Sequence, residues 1–430
     1  MTTPHHTLAE LRAEARTRDE KDPLRPITDL FVRPRRPLYF DGNSLGPLSR
    51  PAREAVMRTV RQWGDLAVSG WSEGDPSWFD RERWLSRRLA PALGARPGEI
   101  SLGGSTTQQI HQLLATFYRP AGTRTALLVD AGAFPTDRYA AESHVRLHGL
   151  DPQTALRTVA PDVSGFLDPA ALAAAFTEEV ALAILPSVVY TTGQRLPMPE
   201  LSRAAREAGV FLIWDLCHSA GLVPHHLHDD GAEAAVFCTY KYLNGGPGSP
   251  AGVFLHERHW PPEPGLWGWW GSDPNVQFRM APTFVPAQDA SGLQLGTPSM
   301  LALAPLEGSL DILEQAGIKA VFHRAQELTG FLIEAAEALV VPYGMTIGTP
   351  RETDRRGGHV ALRHPEALAI SRALKTAGVT PDFRPPDIIR LCPAPLFTRF
   401  RDVVEALARL RIILREERFR ERLQDDSPVW

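Results

Sequence analysis

The segment VFLIWDLCHSAG, residues 210–221, joins an uninterrupted apolar run to an aspartate and then to small and polar residues. An apolar run without polar alternation is typical of a strand that is buried on both faces of a parallel sheet. We therefore predict a central strand that ends at Asp215. Four further apolar runs of the same kind lie at residues 125–130, 181–190, 234–240 and 251–256.

Helical patterns separate several of these runs, and MPELSRAAREAG at residues 198–209 is one example. Strands that alternate with helices predict an α/β fold with a mostly parallel sheet. From about residue 302 the pattern changes to long amphipathic helices, followed by the strand candidates HVALRH and DIIRLCP and a terminal helix. We therefore predict a large α/β domain at residues 61–309 and a smaller α+β domain formed by residues 1–60 and 310–430.

The composition favours a small-molecule partner. The 430 residues carry a formal net charge of −4, and the charges are interspersed, so there is no basic field for nucleic acid. The first residues contain no apolar signal core, and no run approaches the roughly 20 apolar residues of a membrane span. We expect a cytoplasmic protein. The cysteines at 217, 238 and 392 match no metal or redox spacing, and we expect them to be buried.

Lysine is rare in this chain, because 42 of the 46 basic residues are arginine. One of the few lysines, Lys241, lies in CTYKYLNGGPGSPAG, after a predicted strand and before a glycine-rich stretch that allows close backbone approach. A desolvated lysine can lose its proton and form an imine with a carbonyl, which a guanidinium cannot do. Taken alone, Lys241 is either such a nucleophile or a surface lysine at a strand end.

Two neighbouring segments favour the nucleophile. Ligands of doubly wound sheets bind outside the carboxyl ends of the strands, where Asp215 and Lys241 should converge. A carboxylate opposite a lysine-bound pyridoxal phosphate keeps the pyridine nitrogen protonated, although Asp215 alone could be a helix N-cap. The segment GGSTTQQIHQLLATF, residues 103–117, predicts a helix whose hydroxyl-rich N-terminus, with Thr106 and Thr107, suits the cofactor phosphate.

Six motifs then resemble the kynureninase family of fold-type I pyridoxal-phosphate enzymes. They are YFDGNSLGPLSR (39–50), FPTDRY (134–139), WDLCHSAG (214–221), CTYKYLNGGPGS (238–249), GWWG (268–271) and RRGGHVALRHPE (355–366). The resemblance runs from about residue 38 to the C-terminus. It implies hydrolysis of the Cβ–Cγ bond of kynurenine or 3-hydroxykynurenine, which gives alanine and an anthranilate.

The resemblance also implies residue roles. Lys241 would hold the cofactor covalently and move the α-proton, Asp215 would pair with the pyridine nitrogen, and Tyr240 would transfer a proton. The remaining cofactor contacts would be Thr106, Thr107, Phe134, Asp137 and His218, with Trp269 and Thr297 supplied by the neighbouring subunit. The substrate contacts would be Arg390 on the carboxylate, together with Asn43, Ser44, Trp71 and Ser272. We therefore expect a homodimer with its active site at the subunit interface.

Two positions depart from the family pattern. Ser272 replaces a histidine expected near the aromatic ring of the substrate, and Trp71 stands where some members carry histidine. The bulk of Trp71 favours unsubstituted kynurenine, but the sequence leaves the choice between kynurenine and 3-hydroxykynurenine open.

Three other interpretations fit parts of the sequence. A cysteine desulfurase or selenocysteine lyase shares the fold and the lysine but needs a nucleophilic cysteine on a loop, and TDRRGGHVALRH, residues 353–364, contains none. A cofactor-free binding protein would be colourless when purified, and the fold alone does not exclude it. The cluster PHHLHDD, with His225, His226, His228 and Asp229, matches no standard zinc spacing, so we expect no metal.

Overall fold

The computed structural model describes residues 6–280 and 282–422. Its strands are β1 (Leu38–Tyr39), β2 (Ile100–Leu102), β3 (Ala126–Asp130), β4 (Leu156–Val159), β5 (Val180–Pro186), β6 (Phe211–Asp215), β7 (Ala234–Cys238), β8 (Ala251–Leu255), β9 (Thr346–Ile347), β10 (Val360–Arg363), β11 (Val379–Thr380), β12 (Asp382–Arg384) and β13 (Ile388–Leu391).

The α-helices are α1 (Leu8–Lys21), α2 (Arg25–Thr28), α3 (Arg50–Leu66), α4 (Gly70–Glu73), α5 (Trp78–Leu89), α6 (Thr106–Phe117), α7 (Pro135–Leu147), α8 (Pro152–Ala155), α9 (Pro169–Ala174), α10 (Met198–Glu207), α11 (Pro274–Gln277), α12 (Met300–Ala316), α13 (Ile318–Leu339), α14 (Ala367–Thr376) and α15 (Phe400–Arg415).

The larger sheet has seven strands in the order β2-β8-β7-β6-β5-β3-β4. All pairings from β7 to β4 are parallel, and only β8 runs against its neighbours. The predicted mostly parallel α/β sheet is therefore confirmed. The apolar runs of the sequence correspond to β3, β5, β6, β7 and β8.

Apart from Asp130 and Asp215, which end β3 and β6, these strands are apolar, because both faces of the sheet are covered. Successive residues of β6 point to opposite faces, so Leu212 and Trp214 enter one hydrophobic core while Ile213 enters another. Helix α10 contributes Leu201 to the first core, and α6 contributes Leu113 to the second. This double cover explains why the strands lack the polar alternation of a half-exposed sheet.

A second, antiparallel sheet has the order β12-β13-β10-β9. It packs with α13, α14 and α15 in a separate hydrophobic core. The N-terminal segment joins this part of the chain, because β1 pairs in parallel with β11 and α1 contacts α15. Among the described residues, no helix combines the length and the apolar character that a membrane crossing requires.

Candidate active site

A cavity of about 350 Å³ lies at the carboxyl ends of β5, β6 and β7, between the large sheet and the small one. The strand ends, the N-terminus of α6 and the antiparallel sheet all contribute residues to its wall. The cavity is lined by eleven of the residues that we predicted from the sequence to form the site, namely Asn43, Ser44, Thr106, Thr107, Phe134, Asp137, Asp215, His218, Tyr240, Lys241 and Arg390.

The amine of Lys241 faces the interior of this cavity. Its Nζ lies 3.1 Å from Nε2 of His218 and 5.9 Å from the ring centre of Phe134. His218 is buried, and burial, helped by the positive charge of Lys241, holds its pKa well below the usual value. The imidazole is therefore neutral and can accept a hydrogen bond from the lysine amine.

Three buried carboxyl groups occupy one end of the cavity. Oδ1 of Asp215 accepts a hydrogen bond of 2.7 Å from the backbone N–H of Cys217. Burial raises the pKa of Asp137 well above its usual value, and the charges of Asp215 and Asp130 add to the shift. Burial likewise raises the pKa of Asp130 to about 6. Such a concentration of acids in a dry site favours a positively charged partner.

Two of these acids have an oxygen that no described residue satisfies. Oδ2 of Asp130 and Oδ1 of Asp137 are both buried without a hydrogen-bond partner among residues 6–280 and 282–422. Buried polar atoms are normally paired, so an unsatisfied pair at a cavity wall points to a ligand. A protonated pyridine nitrogen is a ligand of the required charge, and this end of the site fits pyridoxal phosphate.

The other end of the cavity is the N-terminus of α6. Ser105 caps this 12-residue helix through a reciprocal bond with Gln108, and the preceding Gly104 has a φ of +58°. The hydroxyl of Thr107 lies 2.6 Å from that of Thr136, so two hydroxyl groups stand beside the free backbone N–H groups. Helix N-termini of this kind bind phosphate, so this end of the site also fits the cofactor.

Tyr240 and Asn43 present polar atoms to the middle of the site. Burial raises the pKa of Tyr240, so its hydroxyl keeps its proton and can donate it. The amide of Asn43 is fully buried, and neither its oxygen nor its nitrogen has a hydrogen-bond partner in the described part of the chain. The amide of Asn43 is therefore available to a bound molecule.

Arg390 reaches the cavity from β13. Its guanidinium is 1% exposed and forms an ion pair with Asp382, while Nη1 donates to the carbonyl oxygen of Tyr190 at 2.6 Å. Burial lowers the pKa of Arg390 to about 10, which still leaves it protonated at neutral pH. The arginine is therefore a fixed positive charge in the wall of the cavity.

Four predicted site residues lie away from the cavity of their own chain. Trp71 packs against Trp270 with ring centres 5.7 Å apart, and Ser272 forms an isolated bridge with Pro286. Trp269 is 45% exposed and donates from Nε1 to the hydroxyl of Thr297 at 3.2 Å. The chain does not bring Trp71, Ser272, Trp269 or Thr297 to its own cavity, and their roles stay predictions.

The cavity also contains residues that the sequence reasoning missed, chiefly Asp130, Tyr190 and Arg384. Asp130 ends β3 as Asp215 ends β6, so the rule that ligands bind at strand ends could have identified it. Arg384 ends β12, a three-residue strand that is too short to show a periodic pattern.

Two histidines of the PHHLHDD cluster have polar partners within the chain. His225 is buried and lies 2.9 Å from the hydroxyl of Ser219, and Nδ1 of His228 lies 2.8 Å from the carboxylate of Glu99. All three cysteines are buried free thiols.

Comparisons with known proteins also point to the kynureninase family. Residues 321–410 match the family model described as the kynureninase C-terminal domain. A protein named kynureninase from Geobacillus thermodenitrificans is 42% identical over 406 residues, which cover 94% of this chain and 95% of that protein. A protein of the same name from Bacillus anthracis is 40% identical over 403 residues, covering 94% of each.

Solved structures show the fold. The chain is similar to the cystine C–S lyase C-DES, with a TM-score of 0.76 and 20% identity over 87% of this chain and 97% of that chain. It is also similar to a cysteine desulfurase from Thermococcus onnurineus, with a TM-score of 0.75 and 16% identity over 91% and 96% of the two chains.

Proposed function

The chain belongs to the kynureninase family, and on that premise we propose that it hydrolyses the Cβ–Cγ bond of L-kynurenine or 3-hydroxykynurenine with pyridoxal phosphate as cofactor. The products are L-alanine and anthranilate or 3-hydroxyanthranilate. The observation that carries the proposal is the convergence of Lys241, the buried acids and the α6 N-terminus on one cavity.

Binding is the first task of these residues. Lys241 would provide the covalent attachment of the cofactor, the α6 N-terminus with Thr106 and Thr107 would hold its phosphate, and Asp215 with Asp137 would keep its ring nitrogen protonated. Phe134, whose ring centre lies 5.9 Å from the lysine amine, would pack against the cofactor ring. When bound, pyridoxal phosphate supplies an electron sink that stabilises negative charge at Cα of the substrate.

Proton transfer is the second task. Lys241 would move the α-proton of the substrate, and the neutral His218, whose Nε2 lies 3.1 Å from Nζ of Lys241, would orient that amine by accepting one of its hydrogens. Tyr240 keeps its proton because it is buried, and it would donate that proton to Cβ when the Cβ–Cγ bond breaks, while water supplies the oxygen that makes Cγ the carboxyl carbon of the anthranilate. Arg390 fixes the substrate carboxylate.

We further propose that the active site is completed by a second copy of the chain. Trp269 is 45% exposed, Trp267 71% and Phe278 51%, which is unusual for large aromatic groups in one surface segment. Trp269 and Thr297 already contact each other on this surface and would enter the partner's cavity together. A measured mass of two chains in solution supports the homodimer, and a monomer with full activity contradicts it.

The chain belongs to the kynureninase family, and the state of its cysteine thiols also argues against a cysteine desulfurase. Of the three cysteines, only Cys217 lies at the cavity. A hydrogen bond with Cys238, followed by burial, raises the pKa of Cys217 well above its usual value. The group therefore stays a thiol, whereas the nucleophile of such enzymes is a thiolate.

The test is a direct assay of the purified protein. Pyridoxal phosphate is added with L-kynurenine, 3-hydroxykynurenine or L-cysteine, and the release of anthranilate, 3-hydroxyanthranilate or sulfide is followed. We expect an anthranilate from at least one of the first two compounds and no sulfide. Sulfide release without anthranilate contradicts the proposal. The cytoplasmic location stays a prediction.

A further inference from the structure

Three charged side chains lie on one face of the small antiparallel sheet. Asp382 and Arg384 are two residues apart on β12, so their side chains point to the same face, and Arg390 is the direct partner of Asp382 on β13. Arg384 and Arg390 both form part of the cavity wall, and Asp382 lies between them. The face therefore presents two guanidinium groups to the active site.

The two arginines differ in how many of their hydrogen-bond donors are used. Arg390 is 1% exposed, donates Nε and Nη2 to Asp382, and donates Nη1 to the carbonyl oxygen of Tyr190. Arg384 has only an ion pair of 3.3 Å between Nη2 and Asp382, and its buried Nε has no partner among the described residues. An arginine carries five N–H donors, so most of the donors of Arg384 are available.

The charges on this face do not balance. Asp382 is the only carboxylate within 4 Å of either guanidinium in the described part of the chain. Asp41, which forms no ion pair within 4 Å of either guanidinium, also attracts Arg390, and burial raises the pKa of that carboxyl group, which favours its neutral form. One carboxylate between two guanidinium groups leaves one positive charge uncompensated, which one further carboxylate would neutralise.

We infer that Arg384 is a second substrate-binding arginine, which donates to the α-carboxylate of the substrate alongside Arg390, and that Asp382 positions both guanidinium groups. The inference rests on the proposed function, because it takes an α-amino acid as the substrate. Arg390 supplies the buried charge, and Arg384, whose side chain is 31% exposed, supplies the donors that are still free. The pair explains how the site would select a free carboxylate over an amide or ester.

The experiment compares a substrate that has the carboxylate with one that lacks it. Wild type, Arg384→Gln and Arg384→Lys are assayed with L-kynurenine and with L-kynurenine carboxamide. Arg363→Gln is the matched control, because Arg363 lies on the same sheet, is 33% exposed and has one ion pair, of 3.1 Å with Asp387, but is not part of the cavity wall.

We expect Arg384→Gln to raise KM for kynurenine at least about tenfold, the usual cost of a lost hydrogen bond to a charged group, and to change kcat little. With the carboxamide, the variant and wild type should differ less than about twofold, since the charge-assisted bond is absent from both. The KM of Arg384→Lys for kynurenine should lie between those of wild type and Arg384→Gln. The KM of Arg363→Gln should match that of wild type. An unchanged KM, or an equal loss with acid and amide, overturns the inference.

A binding measurement separates this inference from the proposed reaction. The visible absorbance of the cofactor-loaded protein is titrated with L-alanine and with L-alaninamide, which requires no carbon–carbon cleavage. Arg384→Gln should weaken the binding of L-alanine at least about tenfold and leave that of the amide unchanged. If wild type binds L-alanine in this way but cleaves no kynurenine, the proposed function fails while the inference stands. If Arg384→Gln loses the cofactor, the test uses Arg384→Lys instead, and its affinity for L-alanine relative to L-alaninamide is compared with that of wild type.

Discussion

Replacing Asp130 by asparagine should stabilise the cofactor-free protein at high pH while weakening cofactor binding. Burial raises the pKa of Asp130 from 3.8 to about 6, and the nearby charge of Asp215 contributes. Each pKa unit corresponds to about 1.4 kcal/mol, so ionised Asp130 destabilises the folded protein by about 3 kcal/mol at pH 8. Asparagine has the same shape and keeps an oxygen for the backbone N–H of Gly132.

The sign of the pH dependence follows from proton binding. Because the pKa of Asp130 is higher in the folded chain than in the unfolded chain, the folded state binds more protons between about pH 4 and pH 6. The penalty is therefore absent below that window and complete above it, and at pH 5 it is about half of its value at pH 8. At each pH, Asp130→Asn should therefore stabilise the folded protein by the amount that ionised Asp130 destabilises it.

The assay is urea denaturation of protein stripped of cofactor, at pH 5 and pH 8, so that ligand binding adds nothing to the stability. We expect Asp130→Asn to raise the free energy of unfolding by about 3 kcal/mol at pH 8 and about half as much at pH 5. Asp151→Asn, at an exposed helix N-cap outside the cavity, is the control and should change little. An Asp130→Asn protein that is less stable than wild type at pH 8, or whose gain is independent of pH, refutes the reasoning.

Three further predictions concern the reaction. Arg390→Ala should raise KM for kynurenine at least about tenfold with the cofactor retained, and loss of the cofactor absorbance would mean that Arg390 has been misplaced. Tyr240→Phe should lower kcat about 10²- to 10⁴-fold with little change in KM, measured by anthranilate release, and a normal kcat excludes the hydroxyl as the proton donor. Lys241→Ala and Trp269→Ala should each be inactive alone, but mixing the two should restore activity if subunits share sites, whereas a mixture that stays inactive contradicts the interface proposal.

The central strands of the large sheet could be predicted from the sequence because they are buried on both faces and are apolar up to the acids that end β3 and β6. The run that ends at Asp215 became β6, and the helical pattern at 198–209 became α10, Met198–Glu207. The two-residue strands β1 and β11 gave no such signal, because their pairing depends on contacts between distant parts of the chain.

The site was predictable where strand ends and a capped helix determine it, and less so elsewhere. Lys241 and Asp215 converge because β6 and β7 are adjacent and parallel. Arg384 could not be found this way, since its approach to the cavity depends on the register of β12 against β13. The surroundings of Trp71 depend on long-range aromatic contacts, such as that with Trp270, which a single sequence does not specify.

The covalent role of Lys241 can be tested directly, because the chain has only three other lysines, at 21, 319 and 375. The cofactor-loaded protein is reduced with borohydride, digested, and the peptides are analysed by mass spectrometry. We predict a phosphopyridoxyl group on Lys241 and on no other lysine. A label on Lys21, Lys319 or Lys375 in place of Lys241, or the absence of any label on a coloured protein, would contradict it.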